Sequence, residues 1–365
     1  MTCDALDDRL AAVSHLNQQK AKQSRDSLAD GGRAFRKSLL NWFAINAKKY
    51  PWRATRDPYA ILVSELMLQQ TQVATVLDRG FYDRWMKRFP DTQTLACAPP
   101  QEVLKLWEGL GYYSRARNLQ AAARLIETEL KGEFPDSVSE IKKLPGVGPY
   151  TAGAVASFAF DHPAAIVDGN VARVLARIFD FDQAVDSSGG SKTIWDLAGQ
   201  LMPRRKNAKS REYNSALMEL GQTLCKRAAP LCDRCPVARF CVTRDPESLP
   251  VKKPRQKTVL LEEDVLFARR KDAILLELES GSRRKGMWKL PALSRAETNE
   301  RPPDQERILL ILKYSITKYR VTLYVHQVKG SLADVSEQGR QWVDLTELET
   351  LTLGAPYRRV LEKLL

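Results

Sequence analysis

Two carboxylates in this sequence sit where carboxylates are costly or tightly used. Glu65 lies in "VSELMLQQTQ", residues 63–72, among the apolar neighbours Val63, Leu66, Met67 and Leu68. Burial among such neighbours disfavours the charged form, so the carboxyl should keep its proton near neutral pH, as a general acid must. Asp168 opens "VDGNVARVLAR" just before a helix of apolar period, where the ordinary job of Asp is an N-cap. A protonated Glu65 beside an ionised Asp168 would form a two-carboxylate site. It could protonate a leaving group and stabilise an oxocarbenium-like sugar. Sequence alone does not show that the two meet.

Four of the six cysteines, Cys225, Cys232, Cys235 and Cys241, fall within 17 residues as C-x6-C-x2-C-x5-C. Cys3 and Cys97 stand apart. So tight a group reads as metal ligation rather than as disulfide staples. One C-x2-C pair with no nearby histidine suits a [4Fe–4S] cluster, and spacing alone leaves zinc open. A further motif, "LPGVGPYTAGAV" at residues 144–155, places Gly146, Val147 and Gly148 in a tight turn before a helix. Backbone N–H groups at such a turn can hold a phosphate without any side chain.

The elements that position these groups follow from periodicity. The chain has 365 residues, 44% of them hydrophobic, enough for two domains with a core each. Residues 1–33 read as a polar extension. From residue 34 to 242 the pattern is helical: Val171, Val174, Leu175 and Ile178 recur at helical spacing, as do the apolar residues of "EVLKLWEGL" at 102–110. Residues 243–257, with three prolines and a basic run, read as a linker. Beyond it, at 258–365, "TVLLEEDVLFARRKDAILLELE" and the alternating "RVTLYVHQV" read as strands, and a final helix from about Pro356 closes an α+β domain. A formal charge of +13 suits a polyanionic partner, although a solvated basic surface reads equally well. No apolar run reaches membrane-spanning length, so a soluble, intracellular protein is expected, with no membrane partner.

The stretches "YPWRATRDPYAILVSELMLQQTQVATV", "LWEGLGYYSRARNL", "LPGVGPYTAGAV", "VDGNVARVLARIF" and the cysteine group, in that order, closely resemble MutY-type adenine DNA glycosylases of the helix-hairpin-helix superfamily. The resemblance implies an all-α helix-hairpin-helix glycosylase domain with a four-cysteine cluster loop, followed by a small α+β MutT/Nudix-like domain. It implies excision of adenine opposite 8-oxoguanine or guanine in double-stranded DNA, one [4Fe–4S] cluster held by the four cysteines, and a monomer. The cellular place would be the bacterial cytoplasm, or the nucleus or an organelle in a eukaryote. By the same resemblance Glu65 protonates adenine at N7, and Asp168 stabilises the sugar cation with help from Tyr150 and Asn170. Trp52, Arg53, Leu68 and Glu219 would line the adenine pocket, and Gly146, Val147 and Gly148 the phosphate hairpin. Gln70, Thr71, Leu110 and Tyr112 would enter the base stack beside the opposite base.

Rival readings are an endonuclease III-like lyase, which needs a lysine where this chain has Tyr150, and a silent damage binder, against which the intact carboxylates argue. "GMWKLPAL" at 286–293 resembles part of the MutT-like module, without a Glu-rich nucleotide hydrolase box. The family often places Phe-Ser-His on the turn that reads 8-oxoguanine, and here Ser315, Ile316 and Thr317 stand there. Ile316 cannot donate a hydrogen bond, so Ser315 or Thr317 substitutes, the wedge carries recognition, or specificity is broader. Trp85, Trp107 and Tyr113 read as core, and "PRRKNAKSR" at 203–211 as a solvated loop.

Overall fold

The computed structural model describes residues 32–203, 209–254, 256–281, 284–293, 308–327 and 339–365. Most of the polar extension and the centre of the 203–211 basic run therefore lie outside the described residues. In chain order the helices are α1 (Gly32–Asn46), α2 (Pro51–Ala54), α3 (Pro58–Leu68), α4 (Val73–Asp78), α5 (Phe81–Arg88), α6 (Thr92–Cys97), α7 (Pro100–Leu106), α8 (Ser114–Glu129), α9 (Val138–Ile141), α10 (Pro149–Phe160), α11 (Gly169–Ile178), α12 (Ser188–Leu201), α13 (Ser210–Thr223) and α14 (Ala355–Leu364). The chain divides into two compact units, one of residues 1–66 and 130–254, the other of 67–129 and 255–365.

The first unit is helical. Its core gathers Phe35 and Leu39 of α1, Val171, Val174 and Leu175 of α11, Ile194 and Leu197 of α12, and Tyr213, Leu217 and Leu220 of α13. The 3.6-residue period read from 171 to 178 is the buried face of α11. Gly221 matters to this packing, because a Cβ there would stand 2.6 Å from Asn170 Cβ. Only glycine lets α13 approach the start of α11 so closely. Residues 242–254 run along this unit: Val242 N–H donates to Ile178 O, Arg177 Nε to Leu249 O at 3.1 Å, and Lys253 N–H to Asp186.

The second unit joins helices α4–α8 to the strands. Trp85 and Trp107 are fully buried and meet edge to face, with centroids 5.2 Å apart, as expected of core aromatics; Tyr113 is also buried. The helical spacing of 102–110 continues past the helix itself: α7 stops at Leu106 and residues 107–111 turn. Gly109 and Gly111 there take φ of 99° and 69°. The strands are β1 (Val259–Phe267), β2 (Arg269–Arg270), β3 (Ala273–Leu278), β4 (Trp288–Lys289), β5 (Ile308–Ile316), β6 (Tyr319–Gln327) and β7 (Arg340–Asp344). One sheet has the order β1-β6-β5, with β1 parallel and β5 antiparallel to β6; in the other, β3 pairs with β2, β4 and β7. Val321, Leu323 and Val325 of β6 are buried as their alternation requires, and Leu323 and Val325 meet Tyr357, Val360 and Leu361 of α14 in one core. His326 departs from the alternation. It is buried, with Nε2 2.7 Å from Asp264 Oδ1.

Candidate active site

Helix α3 carries Glu65 in a stretch, Ala60 to Met67, in which every residue is buried. Burial, the largest influence, lifts the Glu65 pKa to about 7; the Asp168 charge raises it further, while the Tyr150 hydroxyl and Arg53 act to lower it. Tyr150, in the first turn of α10, hydrogen-bonds Glu65 and lies 3.9 Å from Met218 Sδ. Its phenol is pushed well above the usual range by burial first and then by the two carboxylates. Tyr150 is thus a neutral donor at any physiological pH.

Asp168 both caps a helix and faces this pair. Its Oδ1 accepts from Val171 N–H at 2.7 Å, the N-cap bond of α11, and its Oδ2 accepts from Asn170 Nδ2 at 2.9 Å. Asn170 in turn accepts from Arg173, whose guanidinium also reaches Gly221 O and Cys225 O at 2.8 Å each. The structure therefore brings Glu65, Tyr150, Asp168 and Asn170 together.

Beside them Arg53 of α2 and Glu219 of α13 form a 2.7 Å ion pair. Glu219 is fully buried, and its other oxygen has no hydrogen-bond partner among the described residues. A buried, unpaired acceptor is costly unless something supplies a donor. Trp52 is buried and stacks on Tyr50 at 5.3 Å, and the Arg53 guanidinium lies over Tyr50 and Phe43. The whole of α2 is tied to α13 a second time, by Arg211, which donates to Arg53 O at 2.6 Å and Thr55 O at 2.8 Å. Arg211 closes the run read as a solvated loop, and it departs from that reading because three backbone carbonyls, that of Phe158 included, need its fork.

The phosphate-hairpin residues form the expected turn. Gly146 takes φ of 76°, Val147 N–H closes the turn on Leu144 O, and Gly148 precedes α10. At the cysteines, Arg177 Nη1 donates to Cys225 Sγ at 3.3 Å while Cys241 Sγ donates to the Arg177 carbonyl. Burial first, then the charges of the other three cysteines, raise the Cys241 thiol to about 11; Cys235 is also raised, chiefly by burial. Cys235 and Cys241 thus both feel the neighbouring cysteines. Among the described residues no three Cys, His, Asp or Glu side chains are gathered so as to hold a single metal ion. Cys225, which accepts an Arg177 N–H, together with Cys232, Cys235 and Cys241, offers four sulfurs that fit a cationic multi-iron core taking them as thiolates.

Leu68, half-buried, ends α3, and Gln70, exposed at φ 57°, follows with Thr71. Tyr112 is 47% exposed at φ 46°, whereas Leu110 is buried. One residue that sequence reasoning passed over joins these two turns. Arg115 donates to the carbonyls of Met67, Gln69, Leu110 and Gly111, lies 3.4 Å from Thr71 Oγ1, and faces the rings of Trp107 and Tyr112. Ser315 and Thr317 are both exposed at the β5–β6 hairpin, Thr317 at φ 53°, with Ile316 half-buried between them.

Residues 63–197 match the HhH-GPD superfamily of base excision DNA repair proteins. An adenine DNA glycosylase of Buchnera aphidicola subsp. Schizaphis graminum is 32% identical over 259 residues, which cover 70% of this chain and 72% of that protein. This chain belongs to the adenine DNA glycosylase family. The rat family member is 48% identical over 217 residues, covering 57% of this chain and 41% of its own length. The chain thus spans about two fifths of that relative. Among solved structures, a thermostable thymine-DNA glycosylase aligns with a TM-score of 0.52 at 29% identity, over 59% of this chain and 97% of the other. The family match covers Glu65, Tyr150, Asp168 and Asn170 and ends before Glu219 and the four cysteines. No helix among the described residues is long and apolar enough to cross a membrane.

Proposed function

We propose that the chain is an adenine DNA glycosylase that flips adenine out of a duplex, opposite 8-oxoguanine or guanine, and hydrolyses its N-glycosidic bond. The observation that carries this is Glu65: a buried carboxyl with a pKa of about 7, hydrogen-bonded by Tyr150 and facing Asp168. A carboxyl so poised keeps a proton for N7 of adenine at neutral pH, which makes the base a better leaving group. Asp168, held by Val171 N–H and Asn170, presents its carboxylate to the oxocarbenium-like sugar. The unpaired oxygen of Glu219 awaits a donor, and the exocyclic amine of adenine supplies one, with Trp52, Arg53 and Leu68 as walls. Water then completes the hydrolysis. The position of the lyase nucleophile holds Tyr150, so no imine forms there and the enzyme is monofunctional.

Gln70, Thr71 and Tyr112 fill the gap left by the extruded base, offsetting an unstacking cost of a few kcal/mol. Gly146, Val147 and Gly148 seat a phosphate. The strands and α14 form a MutT-like lesion reader, with Ser315 and Thr317 offering hydroxyls in place of the family's serine. Cys225, Cys232, Cys235 and Cys241 hold one [4Fe–4S] cluster, which orders the loop bearing Lys226 and Arg227. The purified protein should contain about four irons per chain; stoichiometric zinc in their place would overturn this assignment.

The decisive experiment is single-turnover incubation with duplexes carrying adenine opposite 8-oxoguanine, adenine opposite guanine, or an oxidised pyrimidine. Free adenine from the first two, without strand cleavage, is the expected result. Release of pyrimidine without adenine, or binding with no release at all, would overturn the proposal.

A further inference from the structure

The turn at 107–112 stores conformational cost. Three of its residues, Gly109, Gly111 and Tyr112, have positive φ, and Tyr112 is not a glycine. Such a turn persists only when its surroundings over-determine it. Its far end is held by Arg115 and by Trp107 Nε1, which donates to Gly111 O at 3.0 Å. Its near end is held by the C-terminal part of the chain. Arg358 of α14 grips Glu108 with two nitrogens, at 2.6 and 3.2 Å, and donates to Leu351 O at 2.9 Å. Lys105 bonds the same Glu108 carboxylate at 2.7 Å and the same Leu351 carbonyl at 3.2 Å. Around this knot Gln101 donates to Gly286 O, Arg117 to Lys285 O, and Thr352 to Gln101 O.

We infer that Glu108 is a positioning residue, and that Arg358 acts through it to let the C-terminal sheet domain set the turn that carries Tyr112. The inference rests on the glycosylase reading and adds a coupling to it: the domain that reads the opposite base also holds a residue that enters the stack beside that base. The knot lies at the turn's first bend. The side chains of Glu108 and Arg358 are only 19% and 26% exposed, so the pair is screened less than a surface ion pair. A two-pronged guanidinium–carboxylate contact also fixes orientation, which a lone charge does not. Loss of the knot frees one end of the turn while Arg115 still holds the other. Tyr112 then spends less time in the inserted geometry.

The test uses the full-length protein and four variants, Glu108→Ala, Arg358→Ala, Arg358→Lys and the exchange Glu108→Arg with Arg358→Glu, in which the new acid faces both the new arginine and Lys105. Insertion is read by the fluorescence of 2-aminopurine placed next to 8-oxoguanine, and function by the single-turnover rate ratio for adenine opposite 8-oxoguanine over guanine. Each alanine variant should lower that ratio about fivefold or more and diminish the fluorescence change, with Arg358→Lys in between, while the exchange recovers most of both. A purely architectural contact would shift the melting temperature without this recovery. Alanine variants that keep the full fluorescence change and ratio, or an exchange that merely adds the two losses, would overturn the inference. Failure of the wild-type protein to release adenine would instead overturn the glycosylase reading, and leaves the fluorescence comparison to decide the positioning role.

Discussion

Glu65 and Arg115 are both ionisable, both 5% exposed, and both sit in the interior of helical structure, yet the two units treat them differently. Arg115 is surrounded by acceptors: four backbone carbonyls lie within 3.1 Å of its terminal nitrogens. Burial lowers its pKa only to about 10, so it stays charged at physiological pH. Glu65 has the Tyr150 hydroxyl and, beyond it, a like charge on Asp168. Its pKa falls within the range where protons are exchanged. A buried charge with many backbone acceptors is scaffold, and one with few partners is available for chemistry.

The comparison breaks most visibly if Glu65 loses its proton. Glu65→Gln retains the shape without the acid, so single-turnover excision should fall by about 10²- to 10⁴-fold while mismatch binding persists. In the wild type the chemical rate should decline as pH rises through about 7, and the variant should lose that dependence. Stability falls in the same direction. The folded-state pKa of Glu65 lies above its ordinary value of 4.5, so the folded chain binds more protons than the unfolded one between those values. Stability from Glu65 is therefore complete below pH 4.5 and is lost as pH rises through about 7. Glu65→Gln should then be more stable than wild type at pH 8, on the order of 3 kcal/mol from a shift of this size, and much less so at pH 5. Denaturant titrations at the two pH values measure the difference; equal gains would mean that Glu65 is not held protonated.

Asp168 divides its two roles by substitution. Asparagine keeps one acceptor oxygen and can still cap α11 through Val171 N–H, but its amide nitrogen cannot accept from Asn170 and it carries no charge for a sugar cation. Asp168→Asn should reduce excision by about 10²- to 10³-fold with little change in melting temperature. Asp168→Ala should lose the same activity and about 1 kcal/mol of stability in addition. Near-normal excision by the asparagine variant would leave Asp168 as a cap alone.

These two carboxylates were legible in the sequence for local reasons. Apolar neighbours one to three positions away announce a buried Glu65, and an Asp before an apolar-periodic helix announces a cap. The sheet domain was legible in the same way, from the alternation of Val321, Leu323 and Val325. The arginines were not. Arg211 closes a run that reads as a solvated loop, and nothing local singles out Arg115 or Arg173, because the carbonyls they bind come from elsewhere in the chain: Met67 and Gln69 for Arg115, Cys225 for Arg173, Arg53 and Thr55 for Arg211. Glu108 and Arg358 are 250 positions apart and carry no mark of each other. Local pattern records what a residue's own helix or strand requires, and it holds no trace of a backbone acceptor donated by a distant turn.

Arg115 gives the smaller, sharper test of the comparison. Arg115→Lys keeps the charge but cannot reach carbonyls on two turns at once, so about 2 kcal/mol of stability should be lost by chemical denaturation. The pH dependence set by Glu65 should be unchanged, since the two groups belong to different arrangements. A shifted pH profile with unaltered stability would reverse the roles assigned to them.

The weakest effect is expected at the β5–β6 hairpin. Ser315 and Thr317 are exposed, and Ile316 between them offers no donor, so a hydroxyl contact to 8-oxoguanine must come from one of the two. Removing both, by Ser315→Ala with Thr317→Ala, should cost roughly 1–3 kcal/mol of discrimination between adenine opposite 8-oxoguanine and opposite guanine. Excision opposite guanine should hardly change, because in the proposed chemistry Glu65 and Asp168 act on the adenine and Ser315 and Thr317 only on its partner. Thr317 also holds φ of 53°, a strained value for a β-branched residue, so Thr317→Gly separates geometry from chemistry. If the hydroxyl matters, the glycine variant loses discrimination while gaining stability; if only the turn's shape matters, it gains stability and keeps its preference. Full preference in the double alanine variant, with folding verified by melting temperature, would move the reading of the opposite base to Gln70, Thr71 and Tyr112.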